Sequence, residues 1–228
     1  MLTTALLAAA AVAAPLPQGS EPVQLDPADF TSAITNPYWP MPPGRRWVSR
    51  ETSPDGTSQR NVVTVLRRTR RVADGIRARV VHDVVTERGR KVEDTYDWYA
   101  QDRDGNVWYL GEDTTAYEDG RTSKEGSFEA GVDGAQPGVV VPARPEPGLR
   151  YRQEHRKGHA EDRAEVVALD WQAQVPFGHF RDVLVTREWS PLEPRVLELK
   201  LYAKGVGPVL AIGVSGGADR EELLRMRR

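Results

Sequence analysis

The strongest constraint on this chain is a pair of aromatic runs joined by a short polar turn. Tyr96-Asp97-Trp98-Tyr99-Ala100 and Val107-Trp108-Tyr109-Leu110 flank Asp102-Arg103-Asp104-Gly105-Asn106. Rings on both sides of a glycine-containing turn specify a β-hairpin. Arg103-Asp104-Gly105 suits a three-residue loop whose glycine takes the left-handed conformation. That loop sets Ala100 opposite Trp108 and Trp98 opposite Leu110. Side chains alternate along a strand, so Val92, Asp94, Tyr96, Trp98, Ala100, Trp108 and Leu110 are expected on one face, with Glu112 extending it. Glu93, Thr95, Asp97, Tyr99, Gln101 and Tyr109 occupy the other, wetter face.

The rest of the chain reads as more strands of the same kind. Segments 47–52 and 61–70 flank Ser53-Pro54-Asp55-Gly56, segment 76–86 follows Ala73-Asp74-Gly75, and segment 117–128 turns at Glu118-Asp119-Gly120. Repeated Asp-Gly turns between β-branched runs favour an antiparallel meander. Residues 131–148 hold Gly134, Pro137, Gly138, Pro142, Pro145, Pro147 and Gly148 and read as a long crossing loop. Strands resume at 151–155, 164–170, 173–175, 182–189, 196–203, 209–214 and 220–226. The expected fold is all-β, an antiparallel meander curled into a half-barrel or barrel, with a sandwich as the remaining option.

Helix signals are confined to the N-terminal region. Asp26-Pro27-Ala28-Asp29 has a capping Asp, a proline at the first helical position and an acid in the first turn, which predicts one short helix over 26–34. Residues 36–44, Asn-Pro-Tyr-Trp-Pro-Met-Pro-Pro-Gly, cannot be helix or central strand, because proline lacks the amide donor and restricts its predecessor. Tyr38 and Trp39 are expected to pack across an open end of the sheet. Residues 1–14 form an Ala-rich apolar run too short to span a bilayer, and Ala11-Val12-Ala13 before Pro15 fits a small-x-small cleavage site. The positive residues that open such a signal are missing, so the true start is expected upstream. The expected organisation is a signal-like segment and flexible linker over 1–25 and one all-β domain over 26–228, with a secreted or cell-envelope location and no membrane span in the mature chain.

Charge and composition narrow the partners. The formal net charge of -2 disfavours a nucleic-acid or anionic-membrane binder. The 26 Arg and 5 Lys are an imbalance of a GC-rich genome more than a sign of anion recognition. There is no cysteine, which excludes disulfides, thiolate nucleophiles and Cys-ligated metals.

In the C-terminal half, Val175-Pro176-Phe177-Gly178-His179-Phe180 is followed by Leu201-Tyr202-Ala203-Lys204-Gly205-Val206-Gly207-Pro208-Val209. With residues 36–47 and 94–113, this pattern resembles a family of exported actinobacterial β-proteins of unassigned function, similar to lipoprotein-like half-barrels. The resemblance runs from Asp26 to the C-terminus and implies a fold and an export route, with no activity to carry over. One departure stands out: half-barrel lipoprotein carriers plug their concavity with helices, and this chain offers only one. Independently of the resemblance, Gly205 and Gly207 alternate with Val206, so one face of that segment is bare and a bulky neighbour can lie against its backbone.

Several residues carry potential chemistry. His82 shares a face with Val80 and Val84, and Asp94 and Glu112 lie on the apolar face of the hairpin. Ionisable groups on apolar faces are costly unless paired or wetted, so these three are expected to gather as a polar cluster. His155 and His159 have helical metal-pair spacing, but Gly158 between them favours a solvated hairpin. Asp102-Arg103-Asp104-Gly105-Asn106 places its glycine at the wrong position for an EF-hand and has no flanking helices. Gly213-Val214-Ser215-Gly216-Gly217 lacks the strand-turn-helix context of a nucleophile elbow, so Ser215 is assigned to turn chemistry.

Six Trp and seven Tyr distributed along sheet faces suit a pocket with apolar walls and a few convergent polar groups. The favoured expectation is a monomeric protein binding a hydrophobic or aromatic small molecule, or an envelope component, in its concavity. Tyr96, Trp98, Trp108 and Tyr202 are the wall candidates and His82, Asp94 and Glu112 the polar end. No catalytic residue, metal ligand or cofactor is assigned. The alternatives are an acid–base or metal-dependent enzyme using His82, Asp94 and Glu112, and a structural envelope module presenting a sheet edge.

Overall fold

In the computed structural model, which describes residues 15–227, sixteen strands form one antiparallel sheet. The first half holds β1 (Phe30–Thr31), β2 (Arg46–Thr52), β3 (Ser58–Val72), β4 (Ile76–Glu87), β5 (Arg90–Asp102), β6 (Val107–Glu118), β7 (Arg121–Ser123) and β8 (Phe128–Glu129). The second holds β9 (Gln136–Val141), β10 (Arg150–Arg152), β11 (Glu154–His155), β12 (Arg163–Val175), β13 (Gly178–Trp189), β14 (Leu197–Ala203), β15 (Gly207–Ser215) and β16 (Arg220–Arg227). Two meanders, β2 to β6 and β12 to β16, are joined where β16 pairs with β2. The sheet curls until its two ends, β10 and the β9–β11 pair, meet, with Gln153 the one residue between β10 and β11 along the chain. The result is a nearly closed barrel with one seam, which decides between the closed and open forms expected from sequence.

The seam is held by side chains as well as by the short strands. Arg152 is 1% exposed. Its guanidinium donates to the Pro137 carbonyl at 3.1 and 2.9 Å and to the Glu21 carbonyl at 2.9 Å, with a further bond to the Gly19 carbonyl. The Arg152 amide donates to the Pro17 carbonyl at 2.6 Å. Residues 15–25, expected to be a linker, therefore run along the seam, with Leu16, Val23 and Leu25 packed against the core. Residues 1–14, where the secretion signal is expected, lie outside the described residues.

Two sequence expectations need correction. The short helix is only a 3-10 turn, Pro27–Asp29, capped by the Asp26 carboxylate on the Ala28 amide. The chain extends immediately afterwards, because Phe30 pairs with Asp102 and packs edge-on against Trp108. The crossing loop over 131–148 contains β9, since Val139, Val140 and Val141 are a continuous buried run beside β6. Pro137 and Gly138 masked this strand, but it lies at the seam, where a missing amide is tolerated.

The opening hairpin forms around Asp102. One carboxylate oxygen accepts the Gly105 and Asn106 amides at 2.9 Å each, and the other accepts Asn106 Nδ2 and Trp108 Nε1 at 2.7 Å each. Those donors account for the acidic turn without a bound cation. Ser215, expected in turn chemistry, is the last residue of β15 and its Oγ donates to the Arg195 carbonyl in the segment before β14. Among the described residues no helix is long and apolar enough to cross a membrane.

A Cβ at Gly138 would sit 2.3 Å from the Gln153 carbonyl carbon and oxygen, both backbone atoms with no rotamer to yield. Gly138→Ala is expected to force the seam apart and lower stability by about 2 kcal/mol or more, read by urea denaturation, with amides of β9 losing hydrogen-exchange protection first.

Candidate functional site

The segment over 36–44 closes one part of the barrel interior. Asn36 anchors it: its Oδ1 accepts the Tyr38 amide at 2.9 Å, while its Nδ2 donates to the Gly105 carbonyl at 2.9 Å and to Pro142 at 3.3 Å. The Gly205 amide donates to the Pro37 carbonyl at 2.7 Å, tying the same segment to the turn before β15. Trp39 then lies against Tyr99 and Tyr202, with ring centroids 5.5 and 6.0 Å away. Gly207 permits this approach: a Cβ there would fall 2.8 Å from Trp39 Cδ1. The bare face expected from the glycine pair is thus occupied at Gly207, whereas Gly205 belongs to the preceding turn.

Beneath Trp39 lies a cavity of about 170 Å³. Trp39, Trp47, Val63, Val209 and Leu223 supply much of its apolar wall, and Ser49, Asn61, Asp83, Lys200 and Glu221 its polar wall. Trp47 is fixed by its Nε1 donating to the Val206 carbonyl at 2.8 Å. Asn61 Nδ2 donates to Asp83 Oδ2 at 3.3 Å and to Glu221 Oε1 at 3.4 Å, and Ser49 Oγ also bonds Glu221. Asp83 Oδ1 and Asn61 Oδ1 are buried without a donor. Burial pushes the Asp83 carboxyl well above its ordinary range, and the nearby Asp97 and Glu221 charges add to this.

Lys200 is already matched. Its Nζ lies 2.9 Å from Glu188 Oε2 and 3.4 Å from Glu198 Oε1. Burial alone would neutralise both partners, yet their mutual attraction outweighs it, raising Lys200 and lowering Glu188. Tyr202, a wall candidate from sequence, donates to Glu188 Oε1 at 3.3 Å and packs against Trp39.

Further along the same sheet face, Tyr109 donates to Asp97 Oδ1 at 2.7 Å and lies beside Glu112. One phenol supplies one proton, so it satisfies only one carboxylate; the second carboxyl bonds well only when protonated. Burial first, then the charge of Glu112, pushes Asp97 up to about 8 against the Tyr109 hydrogen bond. Burial likewise pushes Glu112 up to about 7, opposed by the bond with Tyr109 and assisted by Glu93.

The trio expected from sequence does not assemble. His82 and Asp94 meet, with Nε2 to Oδ1 at 2.8 Å, and Lys91 pairs with the other Asp94 oxygen. Burial opposes the Asp94 charge, but the bonds from Lys91 and His82 outweigh it and hold that carboxyl below its ordinary value. Tyr96 stacks on His82 at 4.3 Å, Arg68 lies over Tyr96 at 4.9 Å and Arg70 over Trp98 at 3.9 Å. This ladder occupies the sheet face opposite Asp97 and Tyr99. Trp108 is taken up by Asp102 and Phe30. Glu112 leaves the group because of a bulge: Asp97 pairs with Glu112 and Tyr99 with Tyr109, so Leu110 and Gly111 together oppose Trp98. The expected Trp98–Leu110 register ends there, and Glu112 is turned to the face of Asp97. An isolated glycine within a strand, here Gly111 at φ 135°, is the signal for such a bulge.

The cavity residues Asn61, Asp83, Lys200 and Glu221 were not singled out from sequence. Asp83 was legible in principle, lying between Val81 and Val85. However, Val80 and Val84 made the opposite face of β4 look equally internal. Among the described residues no group of three or more His, Cys, Asp or Glu could hold a metal ion, and His155 and His159 sit on the small hairpin around the Arg156–Ala160 bridge.

No protein-family model matches the chain, and no curated protein does. A similar solved structure is that of a "putative lipoprotein" from Parabacteroides distasonis ATCC 8503, with a TM-score of 0.50 and 12% identity over 83% of this chain and 98% of that one. At that identity the likeness is one of fold.

The raised carboxyls set a pH dependence. Asp97 and Glu112 hold protons in the fold to about 8 and about 7, against 3.8 and 4.5 for ordinary groups. The folded state therefore binds more protons than the unfolded chain in that window, so stability falls as pH rises through it. Glu112→Gln is expected to flatten the decline between about pH 5 and pH 9 and to be more stable than the parent at the upper end by on the order of 1 kcal/mol, measured by urea denaturation across pH.

Proposed function

We propose that the protein is an extracytoplasmic binding protein that holds a small, largely apolar or aromatic molecule inside the barrel, in the cavity bounded by Trp39 and Trp47. The observation that carries this reading is a cavity of about 170 Å³ lined by two indoles and by Asn61 and Asp83, each of which has a buried oxygen that no protein donor meets. A well-packed interior leaves few voids larger than a water molecule, and a dry cavity of about 150 Å³ accommodates benzene. The volume therefore suits a molecule of one small ring. Segment 36–44, anchored through Asn36 and the Pro37 carbonyl, forms the lid over it.

None of the residues first expected lines this cavity: Tyr202 only backs Trp39, and Trp39 and Trp47 are the principal walls. His82, Asp94, Tyr96, Trp98 and Trp108 lie away from this cavity and support the sheet that shapes it. The extracytoplasmic location rests on the apolar signal-like segment over 1–14 and on the fold shared with the Parabacteroides protein.

Benzyl alcohol is the first probe. Saturable quenching or shift of tryptophan fluorescence and a ligand-detected NMR response are expected for the full chain. Ala211→Leu, which grows a side chain into the cavity, is expected to abolish both while the thermal midpoint holds or rises. Absence of saturable binding by the parent, or undiminished binding by the filled variant, overturns this reading.

A further inference from the structure

We infer that the cavity selects a primary ammonium group carried on a small ring or alkyl stem, with Asp83 and Asn61 as its acceptors. This rests on the small-molecule reading above and names the class of ligand. The polar wall is already sorted by hydrogen-bonding role. Asn61 spends its amide donors on Asp83 and Glu221, and Ser49 spends its hydroxyl on Glu221. The remaining buried atoms are Asn61 Oδ1, an acceptor, and Asp83 Oδ1, an acceptor whenever that carboxyl is ionised, a state that burial disfavours and a bound cation would restore. A ligand that completes this wall must donate, and one offering only acceptors would leave both oxygens unmet.

Charge points the same way. Lys200 is the basic residue among those lining the cavity, and its charge is matched by Glu188 at 2.9 Å and Glu198 at 3.4 Å. Asp83 and Glu221 remain as acidic groups on the wall with neutral Asn61 and Ser49 between them. A carboxylate or phosphate entering here would face both acids, whereas an ammonium supplies up to three donors and a compensating charge. Trp39 and Trp47 complete the environment, since indoles suit both an apolar stem and a nearby cation.

The test compares three isosteric probes on the full chain at pH 7 by calorimetry and tryptophan fluorescence: benzylammonium, benzyl alcohol and benzoate. Benzylammonium is expected to bind at least about tenfold more tightly than benzyl alcohol, with benzoate excluded. Asp83→Asn is expected to reduce that preference to about twofold or less, chiefly by weakening benzylammonium, with a thermal melt confirming that the variant is folded. Equal or weaker binding of benzylammonium, with benzyl alcohol bound, overturns the ammonium assignment and leaves the small-molecule reading standing. A folded Asp83→Asn protein that keeps the full preference overturns the role of Asp83. Failure of all three probes to bind overturns the underlying reading and this inference together.

Discussion

Closure of the sheet is the constraint on which everything else depends. A rolled antiparallel sheet leaves unpaired peptide groups wherever its ends fail to meet, and such groups are costly when buried. Here β16 meets β2 by a full ladder, whereas at the other join β10 and β11 are too short to do so. Arg152 fills the gap. Burying a guanidinium is expensive, and desolvation does lower its pKa, with Glu21 acting in the opposite direction. Its fork of donors reaches carbonyls from β9 and from the N-terminal strap, so one side chain satisfies oxygens from two distant segments of chain. Arginine suits this position because its donors are fixed in a plane, which lysine cannot imitate.

Inside the closed barrel, protonation and pairing replace water. Lys200 with Glu188 and Glu198 is a solution by charge pairing. Tyr109 between Asp97 and Glu112 is a solution by proton retention. The wall around Asp83 follows neither fully, because two acceptors remain without donors beside an open volume. Polar groups inside proteins are usually satisfied, and Asp83 and Asn61 stand with the Tyr151 hydroxyl, away from the cavity, as exceptions in the interior.

Most of the strand order was legible because the turns are written in glycine, proline and aspartate. The hairpin at Asp102 and the Asp-Gly turns were visible as local patterns, and the glycine pair marked a bare strip without naming Trp39 as its occupant. The inward face was harder to read. In an ordinary half-exposed sheet, alternation separates a buried face from a wet one, but this sheet is covered on both sides across β4, β5 and β6. Val80, Trp98 and Trp108 are as buried as Val81, Tyr99 and Val107. Apolar character therefore marked the wrong side as the lumen, and the residues judged wetter, Asp97 and Tyr109, are internal. The bulge at Gly111 then shifted Glu112 by one position, which no count of alternating residues detects unless the glycine is taken as an interruption.

The pairing of β2 with β16 also bears on how the barrel is made. Arg46 is aligned with Arg227, so the outer edge of β2 is covered only when β16, far along the chain, has paired with it. Until then, a ready template for intermolecular pairing stands open, and assembly must cross a large loop-closure barrier. Removing β16 would turn a self-contained cylinder into a ribbon with an open edge, so the β2–β16 ladder is what keeps that edge from pairing with another chain.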